Sequence, residues 1–157
     1  MREKEFSVSY KILSKNELNE SQIRAIKVAE NAVKNAYSPY SNYQVGAALY
    51  LENGEIVPGN NQENAVYPLG LCAERVALFN SGALYPNVKP KLLALTIASE
   101  NKPGFPCGSC RQALIEFESR YKCEIPILIE SKNNEFILFD TVKDILPFAF
   151  DKTSLDN

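Results

Sequence analysis

Two short cysteine motifs place the strongest constraint on how this chain can fold. Cys72-Ala73-Glu74-Arg75 and Pro106-Cys107-Gly108-Ser109-Cys110 together offer three thiols and a carboxylate. If the thiols are to meet, the two segments must be brought side by side, whatever the residues between them do. A C-x-E plus P-C-x-x-C set can bind one Zn²⁺ through Cys72, Cys107 and Cys110 and leave its fourth position open. An open position is a catalytic arrangement, because a water there has its pKa lowered towards ~7. Glu74 is too close in the chain to Cys72 to be a comfortable fourth ligand, and well placed to take a proton from that water. If Cys72 and Cys107 each begin a helix, the positive end of the helix dipole favours their thiolate forms.

Two other readings of the same cysteines stay open. A closed structural site needs a fourth ligand; with no histidine in the chain, only Cys123 or a carboxylate is left to supply it. Alternatively, the cysteines are reduced and hold no metal, since buried cysteine serves commonly as a small hydrophobe. The tight Cys107-x-x-Cys110 pair argues against this second reading.

At 157 residues, residues 1–157 are expected to form one domain with a substantial core, residues 1–18 being an N-terminal extension. The formal charge is −2, with lysine and arginine dispersed among acidic residues. A nucleic-acid partner is therefore not expected. The N-terminal Met1-Arg2-Glu3-Lys4-Glu5 is charged and leads into no apolar run, so neither a signal peptide nor a membrane span is expected. Four cysteines, two in a C-x-x-C, fit metal binding in the cytoplasm better than disulfides.

In chain order, Phe6, Val8, Tyr10 and Ile12 alternate with polar residues, which predicts a half-buried strand or an extended arm. Asn19 and Gln22 form a capping-box pattern ahead of Ile23, Ile26, Ala29, Val33 and Ala36, predicting a helix that stops before Ser38-Pro39. Val45 to Leu51 and Glu55 to Pro58 are predicted strands around the hairpin signal Asn53-Gly54. A polar loop, 59–71, delivers the chain to Cys72, where a helix should run to Ser81-Gly82. Leu92 to Ala98 is almost wholly apolar, the mark of a central strand covered on both faces. Cys107 opens a further helix with Ala113, Leu114 and Phe117 on its buried face. Ile125 to Ile129 and Phe136 to Phe139 are strands whose connection is too short for a parallel crossover. Thr141 caps a last short helix through Leu146. The fold class is thus α/β: a three-layer α/β/α sandwich around a mixed sheet of about five strands.

These residues resemble the cytidine deaminase family, the zinc nucleoside deaminases of pyrimidine salvage. The resemblance is carried by Ser38-Pro39-Tyr40-Ser41, Val45-Gly46-Ala47-Ala48, Asn61-Gln62-Glu63-Asn64-Ala65 and the two cysteine blocks, the second extended by Arg111-Gln112. It runs from about Ala36 to Pro147. It implies Cys72, Cys107 and Cys110 as zinc ligands and Glu74 as the general acid/base. It implies Asn61 and Glu63 as partners of the ribose hydroxyls and the backbone of Ala73 as partner of the pyrimidine O2. Arg75 would temper the thiolate charge from behind the ligands, and Arg111 could assist. Without the surrounding blocks, Asn61 and Glu63 would read as a solvated turn and Arg75 as a surface residue. Tyr43 stands where the family commonly has phenylalanine beside the substrate. Phe148 replaces a usual small residue. The family's short-chain members are homotetramers, which implies that Tyr67 lies at a subunit contact and that Phe150 reaches a neighbour's substrate.

The expected function is hydrolytic deamination of cytidine and deoxycytidine. A nucleic-acid editor would need a basic, aromatic groove that this acidic chain does not show. Deamination of a modified nucleoside such as blasticidin S is disfavoured by the intact Asn61-Gln62-Glu63-Asn64 block. A purely structural zinc domain would leave Glu74 and the open position without purpose.

Overall fold

The computed structural model describes residues 1–98 and 103–155. Helix α1, Glu20–Val33, begins at the predicted capping box: the Asn19 side chain accepts from Gln22 N and the Gln22 side chain accepts from Asn19 N. It ends well before Pro39. Helix α2 spans Ala73–Leu84 and α3 Gly108–Tyr121, with Cys72 and Cys107 at their N-cap positions.

Among the described residues, six strands make one sheet: β1 (Lys11–Ser14), β2 (Val45–Leu51), β3 (Ile56–Asn60), β4 (Pro90–Ile97), β5 (Ile127–Glu130) and β6 (Glu135–Phe139). Their order is β1-β6-β5-β4-β2-β3. Only β4 and β5 pair in parallel; every other pairing is antiparallel. The sheet therefore has one strand more than the five expected, because Lys11–Ser14 pairs with the outer edge of β6. Residues 1–10, which include most of the alternation from Phe6 to Ile12, are exposed and outside any strand, so the N-terminal segment is an arm first and a strand only at its end.

Helix α1 covers one face, where Ala25, Ile26 and Ala29 meet Ala48, Leu92, Ala94, Leu128 and Leu138. Helices α2 and α3 cover the other, where Ala77, Leu78, Leu114 and Phe117 meet Leu49, Leu93, Leu95, Ile127 and Ile129. The period-two pattern of the strands thus fills two cores, as a sandwich of three layers requires. Strand β4 is buried on both faces through Leu92 to Thr96, as its apolar run predicted.

Two glycines set how closely the helices approach. A Cβ on Gly46 of β2 would lie 2.1 Å from the Ala29 carbonyl oxygen of α1. One on Gly59 of β3 would lie 2.3 Å from the Ala73 carbonyl oxygen at the start of α2. Gly82 serves packing too. The predicted helix end at Ser81-Gly82 is passed, and α2 continues to Leu84; Gly82 faces the Phe117 and Arg120 side chains of α3 instead of taking a left-handed cap. The last predicted helix is reduced to a 3-10 turn, Val142–Asp144, capped by Thr141. Buried Glu118 holds that turn to the sheet by accepting from Ile125 N, Val142 N and the Thr141 hydroxyl.

Topology explains why the two cysteine segments converge. Strand β2 runs antiparallel to both β3 and β4, so β3 and β4 point the same way and end at the same edge of the sheet. The segments that follow them lead to α2 and α3, whose N-termini meet beyond the carboxyl ends of the strands, where open α/β sheets usually place ligand sites.

Candidate active site

The three thiols meet. The Cys72 and Cys107 sulfurs lie 3.8 Å apart and those of Cys107 and Cys110 3.5 Å apart, all three within 4.8 Å of one another. Three sulfurs at ~2.3 Å from a tetrahedral zinc would stand about 3.8 Å apart, so the donor set fits that ion in both chemistry and spacing. Cys123 is elsewhere: half-buried against the larger core, its thiol facing the Pro90 carbonyl oxygen at 3.6 Å. All four cysteines are free thiols.

Charge around the thiols is uneven. Cys72 is brought down to about 5, first by hydrogen bonding with the Cys110 thiol and further by Arg75, while Cys110 is pushed well above its ordinary value. The Arg75 Nη2 lies 3.9 Å from the Cys72 sulfur and 3.3 Å from the Gly70 carbonyl oxygen. Its Nε is buried without a partner among the described residues, so the guanidinium keeps a donor in reserve beside the thiols. Arg111 does not share that task. It donates to the carbonyl oxygens of Pro106 (2.9 Å) and Ile145 (2.7 Å), tying the start of α3 to the chain after β6.

Glu74 sits in the first turn of α2 and is 5% exposed. Burial raises its carboxyl to about 7, and the Cys72 charge adds to the rise. It lines a cavity of about 560 Å³ together with Cys72, Arg75, Cys107 and the groups discussed next.

Five residues of the cavity wall, Ser41, Tyr43, Val45, Asn61 and Glu63, form one hydrogen-bonded unit. The Asn61 Oδ1 accepts from Val45 N and its Nδ2 donates to the Tyr43 carbonyl oxygen, both at 2.8 Å. The Glu63 carboxylate accepts from Tyr40 N, Ser41 N and the Ser41 hydroxyl. Ser41 Oγ in turn accepts from Tyr43 N. The carboxyl of Glu63 is accordingly held below its ordinary value, the Ser41 hydroxyl being the largest cause. Backbone pairing fixes the loop behind them: Gln62 exchanges two bonds with Leu71, and Glu63 N donates to the Tyr37 carbonyl oxygen. The 59–71 segment is therefore an ordered platform; its polar composition and the Asn61-to-Ala65 block were legible beforehand, its backbone pairing was not.

The remaining expected residues fall as follows. Ala73 is buried in the first turn of α2, its side chain in the core. Tyr43 lines the cavity, and burial raises its phenol above the ordinary value. Tyr67 lies in a 3-10 turn, 74% exposed, its ring 5.8 Å from that of Tyr40; these two help to line a second pocket of about 350 Å³ that shares Ser41, Glu63, Tyr67 and Gly70 with the first. Phe150 is 61% exposed, outside the cavity of this chain, while Gln112 donates to its carbonyl oxygen. Ser41 and Phe105 belong to the wall but were given no role from sequence. Ser41 stood in a recognised block, but nothing there marks it as the donor to Glu63; Phe105 lies in an aperiodic loop that gives no signal.

Residues 19–123 match the family model described as the cytidine and deoxycytidylate deaminase zinc-binding region. The chain belongs to this family. It is an enzyme, a hydrolase of the cytidine deaminase kind. It is 39% identical over 127 residues to the cytidine deaminase of Halalkalibacterium halodurans, covering 80% of this chain and 90% of that one. The cytidine deaminase of Sporosarcina psychrophila is 36% identical over 132 residues, covering 84% and 93%. Among solved structures, the cytidine deaminase of Burkholderia pseudomallei superposes with a TM-score of 0.72 at 35% identity, over 82% of this chain and 98% of that one. The six-stranded sheet with its three helices is thus a cytidine deaminase fold with β1 contributed by residues that precede the family match. No described helix is long and apolar enough to cross a membrane.

Proposed function

We propose that this deaminase hydrolyses cytidine and deoxycytidine to uridine and deoxyuridine in pyrimidine salvage, with Cys72, Cys107 and Cys110 holding one zinc and Glu74 moving protons. The observation that carries the proposal is the joining, in one cavity, of two of the three clustered thiols, a buried carboxyl raised to about 7 and a preorganised Asn61–Glu63 wall. Zinc, when bound, supplies Lewis acidity that activates a water near neutral pH.

The chain's own groups do the rest. With a carboxyl near 7, Glu74 can hold or release a proton at the pH of the cell. It takes one from the attacking water as oxygen bonds to C4, and hands it to N3 of the ring. The second proton, released from the new C4 hydroxyl, passes through it to the exocyclic nitrogen; the C4–N bond breaks, ammonia leaves and C4 keeps the oxygen as a carbonyl. The N–H of Ala73, at the unsatisfied start of α2, is the donor for the pyrimidine O2. Asn61 and Glu63 already spend bonds on the backbone, which holds their remaining acceptor positions fixed for the ribose hydroxyls. Arg75 steadies the thiolate charge. Tyr43 forms the wall beside the base.

The working unit we propose is a cytoplasmic homotetramer. Exposed Tyr67 would lie at a subunit contact, and exposed Phe150 would reach the neighbour's cavity. Neither a nucleic-acid nor a membrane partner is part of this reading.

Ultraviolet absorbance tests the substrate class. Zinc-loaded enzyme should consume cytidine and deoxycytidine but neither free cytosine nor a cytosine-containing oligonucleotide. Turnover of the oligonucleotide alone would overturn the proposal.

A further inference from the structure

The segment before α1 lies outside the family match, yet it makes contacts that lead to the cavity. Lys11–Ser14 pairs with β6, and Lys11 Nζ meets the Asp140 carboxylate at 2.7 Å. Just ahead of this strand, the Tyr10 ring lies 5.7 Å from that of Phe139, at the end of β6. Phe139 is 6% exposed, and its ring meets a second aromatic, Phe105, edge-on at 6.4 Å. Phe105 lines the cavity immediately before Pro106-Cys107. Three rings therefore run in a row from the N-terminal arm to the cavity wall.

Phe105 is half-exposed, and Phe139 is its one aromatic neighbour among the described residues. Its backbone is better defined, since a Cβ on the preceding Gly104 would lie 2.5 Å from the Ile97 side chain at the end of β4. A half-exposed phenylalanine on a closely packed backbone can take its orientation from an edge-on neighbouring ring. Phe139 in turn is a buried member of the larger core, and Tyr10 packs on its outer side.

We propose that Tyr10 is a positioning residue: through Phe139 it holds the Phe105 ring as the apolar wall that receives the flat base of the substrate. The inference rests on the reading of this cavity as the nucleoside site. It gives the N-terminal arm a role in substrate affinity, in addition to capping the β6 edge.

The test is a double-substitution cycle on full-length, zinc-loaded enzyme. An aromatic pair contributes modestly beyond its buried area, so Tyr10→Ala should raise KM for cytidine about 2- to 10-fold. kcat and zinc content should stay at wild-type values. Tyr10→Phe, which keeps the ring, should restore KM. Lys11→Ala, which removes only the ion pair of the same segment, should leave KM unchanged. In a Phe105→Ala background, Tyr10→Ala should add nothing, because the ring it positions is gone. If Tyr10→Ala lowers Tm while KM stays at the wild-type value, or if the two substitutions multiply in KM, the positioning role is overturned and Tyr10 is only an anchor for β1. Wild-type enzyme inactive on cytidine would overturn the proposed function and this role together; active wild type with unchanged KM in Tyr10→Ala overturns this role alone.

Discussion

Individual side chains divide by whether their role depends on chain spacing or on the fold. The meeting of Cys72, Cys107 and Cys110 was legible because the motif puts each thiol at or near a helix start, and the structure brings the three sulfurs within 4.8 Å of one another. Burial then does to Glu74 what a proton carrier needs. Glu74→Gln should retain zinc and fold while turnover falls by at least ~10²- to 10⁴-fold; near-normal turnover with zinc in place would assign the proton transfers to another group. Ser41 was illegible, because a polar loop residue has no periodicity to reveal its partner. Its hydroxyl is the largest influence holding the Glu63 carboxyl below its ordinary value, so the ionised form persists to lower pH than usual. Ser41→Ala removes that donor and moves the Glu63 pKa upward. In an acid titration, KM for cytidine should begin to rise at a higher pH in the variant than in the wild type; superimposable acid limbs would separate Glu63 from sugar binding.

Elements were read well where one strong pattern governed them. The capping box set the start of α1, and the unbroken apolar run of β4 placed it inside the sheet. Gly82 misled because glycine signals two things, and its role here is to let α2 lie against Phe117, a tertiary fact. The alternation in residues 6–12 could be strand or arm; only the free edge of β6 decides that pairing begins at Lys11. Gly46 and Gly59 carry a testable distinction. Both glycine-to-alanine changes should destabilise the protein by about 1–3 kcal/mol in urea unfolding, since a Cβ has no room beneath either helix. Gly59→Ala pushes on Ala73, next to Cys72, and should also weaken zinc retention in a chelator challenge; Gly46→Ala, beneath α1, should not. Equal zinc loss from both would mean that the metal site responds to global stability and not to the seat of α2.

At the scale of the whole molecule, the chain after β6 is half committed. Leu146 and Ala149 pack against the core, whereas Phe148 and Phe150 are 95% and 61% exposed. Aromatic exposure of this kind, with Tyr67 at the rim of the second pocket, suits burial between subunits. Sedimentation should give about four times 17.5 kDa, and truncation before Phe148 should impair turnover while zinc is retained; a fully active monomer at assay concentration would remove the tetramer from the account. Assembly could not be read from one chain's pattern, because an exposed aromatic looks the same whether water or a neighbour covers it. The central claim, an open three-thiol centre with Glu74 beside it, meets its most direct test in zinc K-edge X-ray absorption of the ligand-free enzyme. The account predicts about one zinc per chain with three sulfur neighbours and one lighter, oxygen neighbour; four sulfurs around the metal would contradict it.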